Sequence, residues 1–265
     1  MSARPDLQRQ ATTVLTVERG MQVLRAFRSE RAPLSNSELV RRSGLSKATV
    51  SRLTSTLLQL GYLRHVPGSR KFELAHGALG IGHAFVATSE LLQAADVFMQ
   101  DLADRLNVSV ALAIPDGVDM LYIDYRVSRK IVTLRMGVGS VLPMGTTAIG
   151  HAVLWALPLA AQKELIAQLK QNAGRHATDL ERSIRESFCE LEMTGTCAVL
   201  GRFQRDAYAI AVPVIVGRRR VVMGLSCGKA DVKPDLAAER KRICPALLKA
   251  AAQFQELLAD FDGQP

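Results

Sequence analysis

The chain has 265 residues, 48% of them hydrophobic and 22% charged, which exceeds one ordinary core of about 100–150 residues, supplies apolar material for two, and excludes the disordered class. Its longest apolar stretch, residues 207–216, is about half of the roughly 20 residues that span a bilayer, so a membrane protein is excluded too. The net charge of +9 is concentrated at one end: residues 1–90 carry 13 Lys/Arg against 6 Asp/Glu and the remainder 21 against 19, the electrostatic footprint of a small polyanion-binding domain followed by a nearly neutral one.

In chain order, a first helix is expected over residues 16–29, capped by Thr16, with Met21, Leu24 and Phe27, flanked by Val17 and Val23, as its apolar stripe. After Pro33, Ser35 with Glu38 three residues later is a capping box. The short helix it opens turns Leu39 and Val40 inward and Arg41 and Arg42 outward, and Gly44 supplies a tight turn. Ser46 then caps a third helix over 47–60, ended by Gly61. Val50, Leu53, Leu57 and Leu60 fall on one face of that helix, and Lys47, Ala48, Ser51, Arg52 and Ser55 on the other. The second face is small, polar and basic, as a helix entering the major groove requires. Two extended runs, Tyr62-Leu63-Arg64 and Lys71-Phe72-Glu73-Leu74, flank Pro67-Gly68 turn chemistry and form a hairpin. Three helices and a hairpin make a winged helix-turn-helix over residues 1–75. Its candidate DNA contacts are Ser46, Lys47, Thr49, Ser51 and Arg52 on the third helix, with Lys47, Ser51 and Arg52 at base edges, and Arg64, Arg70 and Lys71 on the sugar-phosphate backbone.

Residues 76–90 have helical periodicity weakened by Gly77, Gly80 and Gly82, each costing about 1 kcal/mol in a helix interior, and read as a linker. From residue 91 the pattern is a helix to 106, strands over 108–114, 120–126 and 131–136, helices over 148–157, 159–172 and 179–194, strands over 207–216 and 221–227, and a last helix over 235–260. Strands in blocks, with an antiparallel pair across Gly217-Arg218-Arg219-Arg220, indicate an α+β fold for this domain of residues 91–265. The three arginines read as a solvated turn. No dinucleotide fingerprint, phosphate loop or nucleophile elbow occurs, and the five histidines lack metal-ligand spacing. No catalytic residue, metal or cofactor is therefore expected. Four sparse cysteines, Cys189, Cys197, Cys227 and Cys244, read as buried reduced thiols. The first ten residues lack the apolar run of a secretory leader, so a cytoplasmic location is expected.

The segments Thr16-Val17-Glu18-Arg19-Gly20-Met21-Gln22-Val23-Leu24, Leu45-Ser46-Lys47-Ala48-Thr49-Val50-Ser51-Arg52-Leu53 and Leu60-Gly61-Tyr62-Leu63 resemble the amino-terminal domain of the isocitrate lyase regulator (IclR) family. The resemblance continues through Gly139-Ser140-Val141-Leu142-Pro143-Met144, Ala148 with Gly150, and Ile210-Ala211-Val212-Pro213-Val214, and covers nearly the whole chain from about residue 12. It implies a linker helix that helps form a dimer, and a sensing domain related to GAF modules, with a curved antiparallel sheet flanked by helices. It also implies an effector site between the concave side of that sheet and a loop-helix segment. The matching residues are Gly145, Thr146, Thr147, Ala148 and Ile149, an anion cradle near a helix start, with Ile131 and Leu134 from one strand, Ala209 from another and Ser226 from the last. Relatives that bind small oxoacids carry an acidic residue where this chain has Val199-Leu200, and a second serine where it has Gly228. Both departures enlarge the site and make it more apolar, favouring an aromatic or otherwise bulky acid. The expected protein is a ligand-responsive transcriptional regulator, repressor or activator, acting as a homodimer or dimer of dimers on a palindromic operator in double-stranded DNA, with a small organic acid as effector. The alternatives are an enzyme carrying an appended winged helix, and an architectural DNA-binding protein without a ligand.

Overall fold

The computed structural model describes residues 14–27, 32–129, 131, 136–231 and 233–262, in two units that divide between Ala87 and Thr88. The first unit holds helices α1 (Leu15–Arg25), α2 (Asn36–Ser43) and α3 (Lys47–Gln59), strands β1 (Leu63–His65) and β2 (Phe72–Leu74), and helix α4 (His76–Thr88), whose last residue lies past the division. The capping box at α2 forms as expected: the Ser35 hydroxyl accepts from Glu38 N, and the Glu38 carboxylate accepts from Ser35 N at 2.8 Å. Gly44, at φ 70°, turns the chain into Ser46, whose hydroxyl accepts from Thr49 N. The end of α3 closes as a Schellman turn on Gly61, with Tyr62 N donating to Leu57 O and Gly61 N to Leu58 O. Val23, Leu34, Leu39, Val50, Leu57, Leu63 and Phe72 are the core of this unit. A bridge that the hydropathy pattern does not announce, Leu34 with Phe72, pins the segment before α2 to the wing.

The first unit departs from several local expectations. Helix α1 begins after Val14 without a side-chain cap, so Thr16 lies inside it, and the expected end at Ser29 lies outside the described residues. Of its apolar stripe Val23 is buried, whereas Val17 and Met21 are exposed. Leu60 is the exposed C-cap of α3 rather than part of its inner face, and Thr54 is buried in that face instead. Arg42 turns back to donate to the Ala26 carbonyl at 3.1 Å, so only Arg41 is exposed.

The second unit is built on one antiparallel sheet in the order β5-β4-β3-β8-β7-β6. Its elements are α5 (Glu90–Leu106), β3 (Ser109–Asp116), β4 (Asp119–Val127), β5 (Val141–Pro143), a 3₁₀ turn (Met144–Thr146), α6 (Ala148–Ala156), α7 (Leu159–Ala173), a second 3₁₀ turn (Gly174–His176), α8 (Ala177–Thr194), β6 (Cys197–Leu200), β7 (Ala207–Val216), β8 (Val221–Ala230) and α9 (Leu236–Leu257). Strands alternate their side chains between two faces, and here the alternation is one of size. Tyr208, Ile210, Val212, Val214, Leu225, Val110 and Leu112 pack with α5 and α9 on one face. Ala209, Ala211, Ala111, Ala113 and Cys197 meet α6 and its neighbours on the other. Small residues let α6 come close: a Cβ at Gly224 would strike Ile149 and Val153, and one at Gly150 would strike the Met144 carbonyl. This contact is a physical reason for glycine at position 150, in the stretch that resembles the family.

Strands β5 and β6 are too short to show an alternating pattern and were not expected. The strand expected over 131–136 falls mostly on residues outside the described set, Leu134 among them, and Ile131 sits in a bend after Ser128. The arginine turn is a β7–β8 hairpin, with Arg218 paired to Asp260 and Arg219 to Asp262 at 3.2 Å each. Cys197 and Cys227 are buried, but Cys189 is exposed on α8. No described helix is long and apolar enough to cross a membrane.

Candidate functional site

The first unit presents its polar face along α3. Lys47, Ala48, Ser51, Arg52 and Ser55 are all exposed, because Val50, Thr54 and Leu57 take the inward positions. Ser46 and Thr49 are less available than side chains further along: the Ser46 hydroxyl lies 2.9 Å from that of Thr49 and caps the helix. At the wing, Gly68 (φ 69°) makes the tip and Arg70 and Lys71 are exposed beside it. Arg64 is held across the hairpin by Glu73 at 2.9 Å, a surface pair worth about 0–1 kcal/mol that gives way readily to a phosphate. The Glu38 carboxyl is held below its ordinary value by the Ser35 hydroxyl and amide, with smaller help from the charges of Lys71 and Arg42. It stays ionised in the capping box.

The second unit contains a cavity on the small-residue face of its sheet, with roughly 570 Å³ of space between atoms, part of it open to solvent. Ser109, Ala111, Ser226, Gly228, Ala207 and Ala209 form the floor; Thr146, Thr147, Ala148 and Ile149 at the start of α6 form one wall. Of the sequence-expected ligand residues, Thr146, Thr147, Ala148, Ile149, Ala209 and Ser226 are thus brought together. Gly145 lines an adjoining outer groove, and Ile131 lines neither, because the strand that was to carry it inward is not formed at that residue. Both departures from the oxoacid pattern touch the cavity: Val199 and Gly228 line it, while Leu200 does not.

The remaining wall was not legible in the sequence. Tyr122 and Tyr125 are three apart, a spacing that sends side chains of a regular strand to opposite faces. A β-bulge shifts the pairing from Leu112 with Asp124 to Ala113 with Tyr122, leaving Ile123 as the extra residue. Both tyrosines therefore reach the cavity, their rings stacked with centroids 5.8 Å apart. Burial pushes both phenols up, so each is neutral, with Ser226 opposing the shift at Tyr122 and Ser109 at Tyr125. The mouth is formed by the β6–β7 connection, where Arg202, Phe203 and Gln204 line the cavity and Arg202 and Thr146 also line the outer groove. Irregular loops carry no periodicity from which such a role can be read.

Behind the α6 wall lies His151, fully buried, with Nε2 2.9 Å from the Gly145 carbonyl and Nδ1 2.7 Å from the Ser187 hydroxyl. A carbonyl only accepts, so Nε2 carries the proton and Nδ1 accepts from Ser187. Burial lowers the imidazole to about 4; the Gly145 bond opposes this and the Arg202 charge adds to it. The neutral ring ties the 3₁₀ turn to α8. Thr147 is similarly committed: its hydroxyl donates to the Pro143 carbonyl at 2.9 Å and accepts from Gly150 N. No group of His, Cys, Asp or Glu among the described residues is arranged to hold a metal.

Two family models match successive parts of the chain. Residues 16–67 match the IclR helix-turn-helix domain, and residues 83–256 match the bacterial transcriptional regulator IclR C-terminal domain. The HTH-type transcriptional regulator TsaQ1/TsaQ2 of Comamonas testosteroni is 28% identical over 95% of this chain and 91% of its own. An IclR family transcriptional regulator from Brucella abortus superposes with a TM-score of 0.83 at 29% identity, covering 97% of this chain and 96% of that one. An IclR homologue from Microbacterium hydrocarbonoxydans complexed with 4-hydroxybenzoate shares the fold, with a TM-score of 0.66 at 21% identity over 92% and 98% of the two chains. With a helix-turn-helix unit and a sensing-type sheet each matched by its own family model, the chain belongs to the IclR family of DNA-binding transcriptional regulators rather than to a family of enzymes.

Proposed function

We propose that this regulator binds an aromatic or otherwise bulky organic acid in the cavity of its second unit and thereby changes its affinity for DNA. The observation that carries the reading is a largely apolar hollow, floored by alanine, glycine and serine, in a chain that also carries a basic winged helix. Small-molecule sites are mostly apolar with a few convergent polar groups. The cavity has such a composition, and the 4-hydroxybenzoate bound to the Microbacterium homologue is an acid of the expected class. The amides of Ala148 and Ile149, which as the first two residues of α6 have no acceptor within the helix, and the Thr146 side chain are the groups of the cradle proposed to meet the ligand, since Gly150 N is already bonded to Thr147. An acid can alter DNA affinity only by as much as it prefers one state of the protein over another.

On DNA, α3 enters the major groove with Lys47, Ser51 and Arg52 at base edges, Ser46 and Thr49 at its first turn, and Arg64, Arg70 and Lys71 on phosphates. Two copies act together on a palindromic operator, as a dimer or a dimer of dimers, in the cytoplasm. The support for assembly is α4, which has no buried residue and leaves Leu79, Ile81 and Phe85 exposed; a single half-site also rarely secures the affinity of specific regulators, about 10⁻⁸–10⁻¹¹ M. Titration of operator DNA tests the interface. Arg52→Ala costs about 1–3 kcal/mol and relaxes preference at one base position, whereas Arg70→Ala weakens all sequences alike and flattens the salt dependence. Equal, sequence-independent losses from both contradict the assignment, and a monomer in sedimentation, free and on DNA, contradicts the assembly.

A further inference from the structure

We infer that Arg202 at the mouth takes the carboxylate of the effector and that the Tyr125 hydroxyl takes a second polar substituent at the inner end, so that the ligand class is a hydroxylated aromatic acid. The assignment rests on the reading of the cavity as an effector site and says which atoms of the ligand that site reads.

Arg202 is the one charged residue on the cavity lining among the described residues. It forms no ion pair with a described carboxylate, and it borders both the cavity and the outer groove, which places it at the entrance. Thr146 borders the same two spaces, so Arg202 and the residue that precedes the α6 cap share the entrance. Moving a carboxylate out of water into an apolar hollow is strongly unfavourable unless a partner meets it. A guanidinium fork is the side chain best matched to a carboxylate, with two parallel charge-assisted bonds. The α6 start supplies less than the sequence suggests, because the Thr147 hydroxyl is committed to capping and to Pro143.

At the other end, the Tyr125 hydroxyl is buried without a hydrogen-bond partner. Its polar neighbour Ser109 is near enough to oppose the rise of the phenol, but it donates to the Gly228 carbonyl at 2.8 Å and does not meet the Tyr125 oxygen at hydrogen-bond geometry. A buried polar group without a partner is a standing penalty, relieved when a ligand brings one. Between these two ends the floor of Ala111, Ala209 and Gly228 carries nothing larger than a methyl group, a surface suited to the flat face of a ring.

Calorimetry on the full chain with benzoate, the three hydroxybenzoates and the corresponding amides tests both ends. The wild type is expected to favour acid over amide and one hydroxybenzoate over benzoate. Arg202→Gln weakens that acid about tenfold to a hundredfold and removes the preference over its amide, while keeping the preference for the hydroxyl. Tyr125→Phe, which keeps the stacked ring, removes the hydroxyl preference, a loss of about two- to tenfold, and keeps acid over amide. An acid that binds the wild type but retains either preference in the corresponding variant overturns this assignment alone. A panel in which nothing binds overturns the aromatic-acid reading of the cavity together with it.

Discussion

The two faces of the sheet in the second unit are made from the same strands, yet they do different work. On β7, Tyr208, Ile210, Val212 and Val214 fill the space beneath α5 and α9, and Tyr208 reaches across to Glu239 of α9 at 2.6 Å. One residue along each time, Ala207, Ala209 and Ala211 leave the opposite face low, and α6 covers only part of it. Large side chains make a closed core that holds the sheet together; small ones leave a hollow that a ligand can enter. On the proposed function, stability and sensing fall to alternate residues of a single strand.

Neighbouring substitutions separate the two roles. Ile210→Ala deletes a fully buried side chain from the closed face and is expected to cost about 2–5 kcal/mol of stability, read as a lower denaturation midpoint; a loss below about 1 kcal/mol would mean that this face is not the load the sheet depends on. The clasp behind the hollow face gives the next largest effect. His151 is held neutral by burial, its folded value lowered to about 4 from an ordinary 6.5. The unfolded chain therefore binds the proton first as pH falls, and stability present above about 6.5 is lost on the way down towards 4. Between pH 7 and pH 5 the loss amounts to about 2 kcal/mol. His151→Gln removes this part, so its melting temperature should fall less over that interval than the wild type's; equal falls would show that the buried ring does not titrate in this way. Smallest in stability is Ala209→Trp, which fills the hollow from its floor. It should change stability by about 1 kcal/mol or less, since the ring enters space not occupied by other atoms, and should abolish acid binding. A loss as large as that of Ile210→Ala would show the hollow to be closed core.

Much of this arrangement is legible in the sequence because it depends on local rules. The capping box at Ser35, the cap at Ser46 and Gly61 after α3 each rely on a few adjacent residues, and the helix-turn-helix follows from them. The strand over 207–216 is likewise legible from its apolar run, although its division into a large and a small face emerges only from the packing. What escaped depends on distant pairing. The bulge that brings Tyr122 and Tyr125 to one face exists only opposite β3, the three-residue strand β5 is recognisable only through its partner β4, and Arg202 enters the cavity lining from a loop without periodicity. The exposure of Val17 and Met21 was missed for a related reason: an apolar stripe tells which residues seek cover, but not whether this chain alone provides it.

The central claim, that the hollow face is where an acid acts on DNA binding, is tested most directly by fluorescence anisotropy on labelled operator DNA with the wild type and Ala209→Trp, each titrated with the hydroxybenzoate that binds the wild type most tightly. The wild type's DNA affinity should shift with the acid, while Ala209→Trp should bind DNA as the acid-free wild type does and ignore the acid at every concentration. A full response in Ala209→Trp would place the sensing site elsewhere and contradict the account.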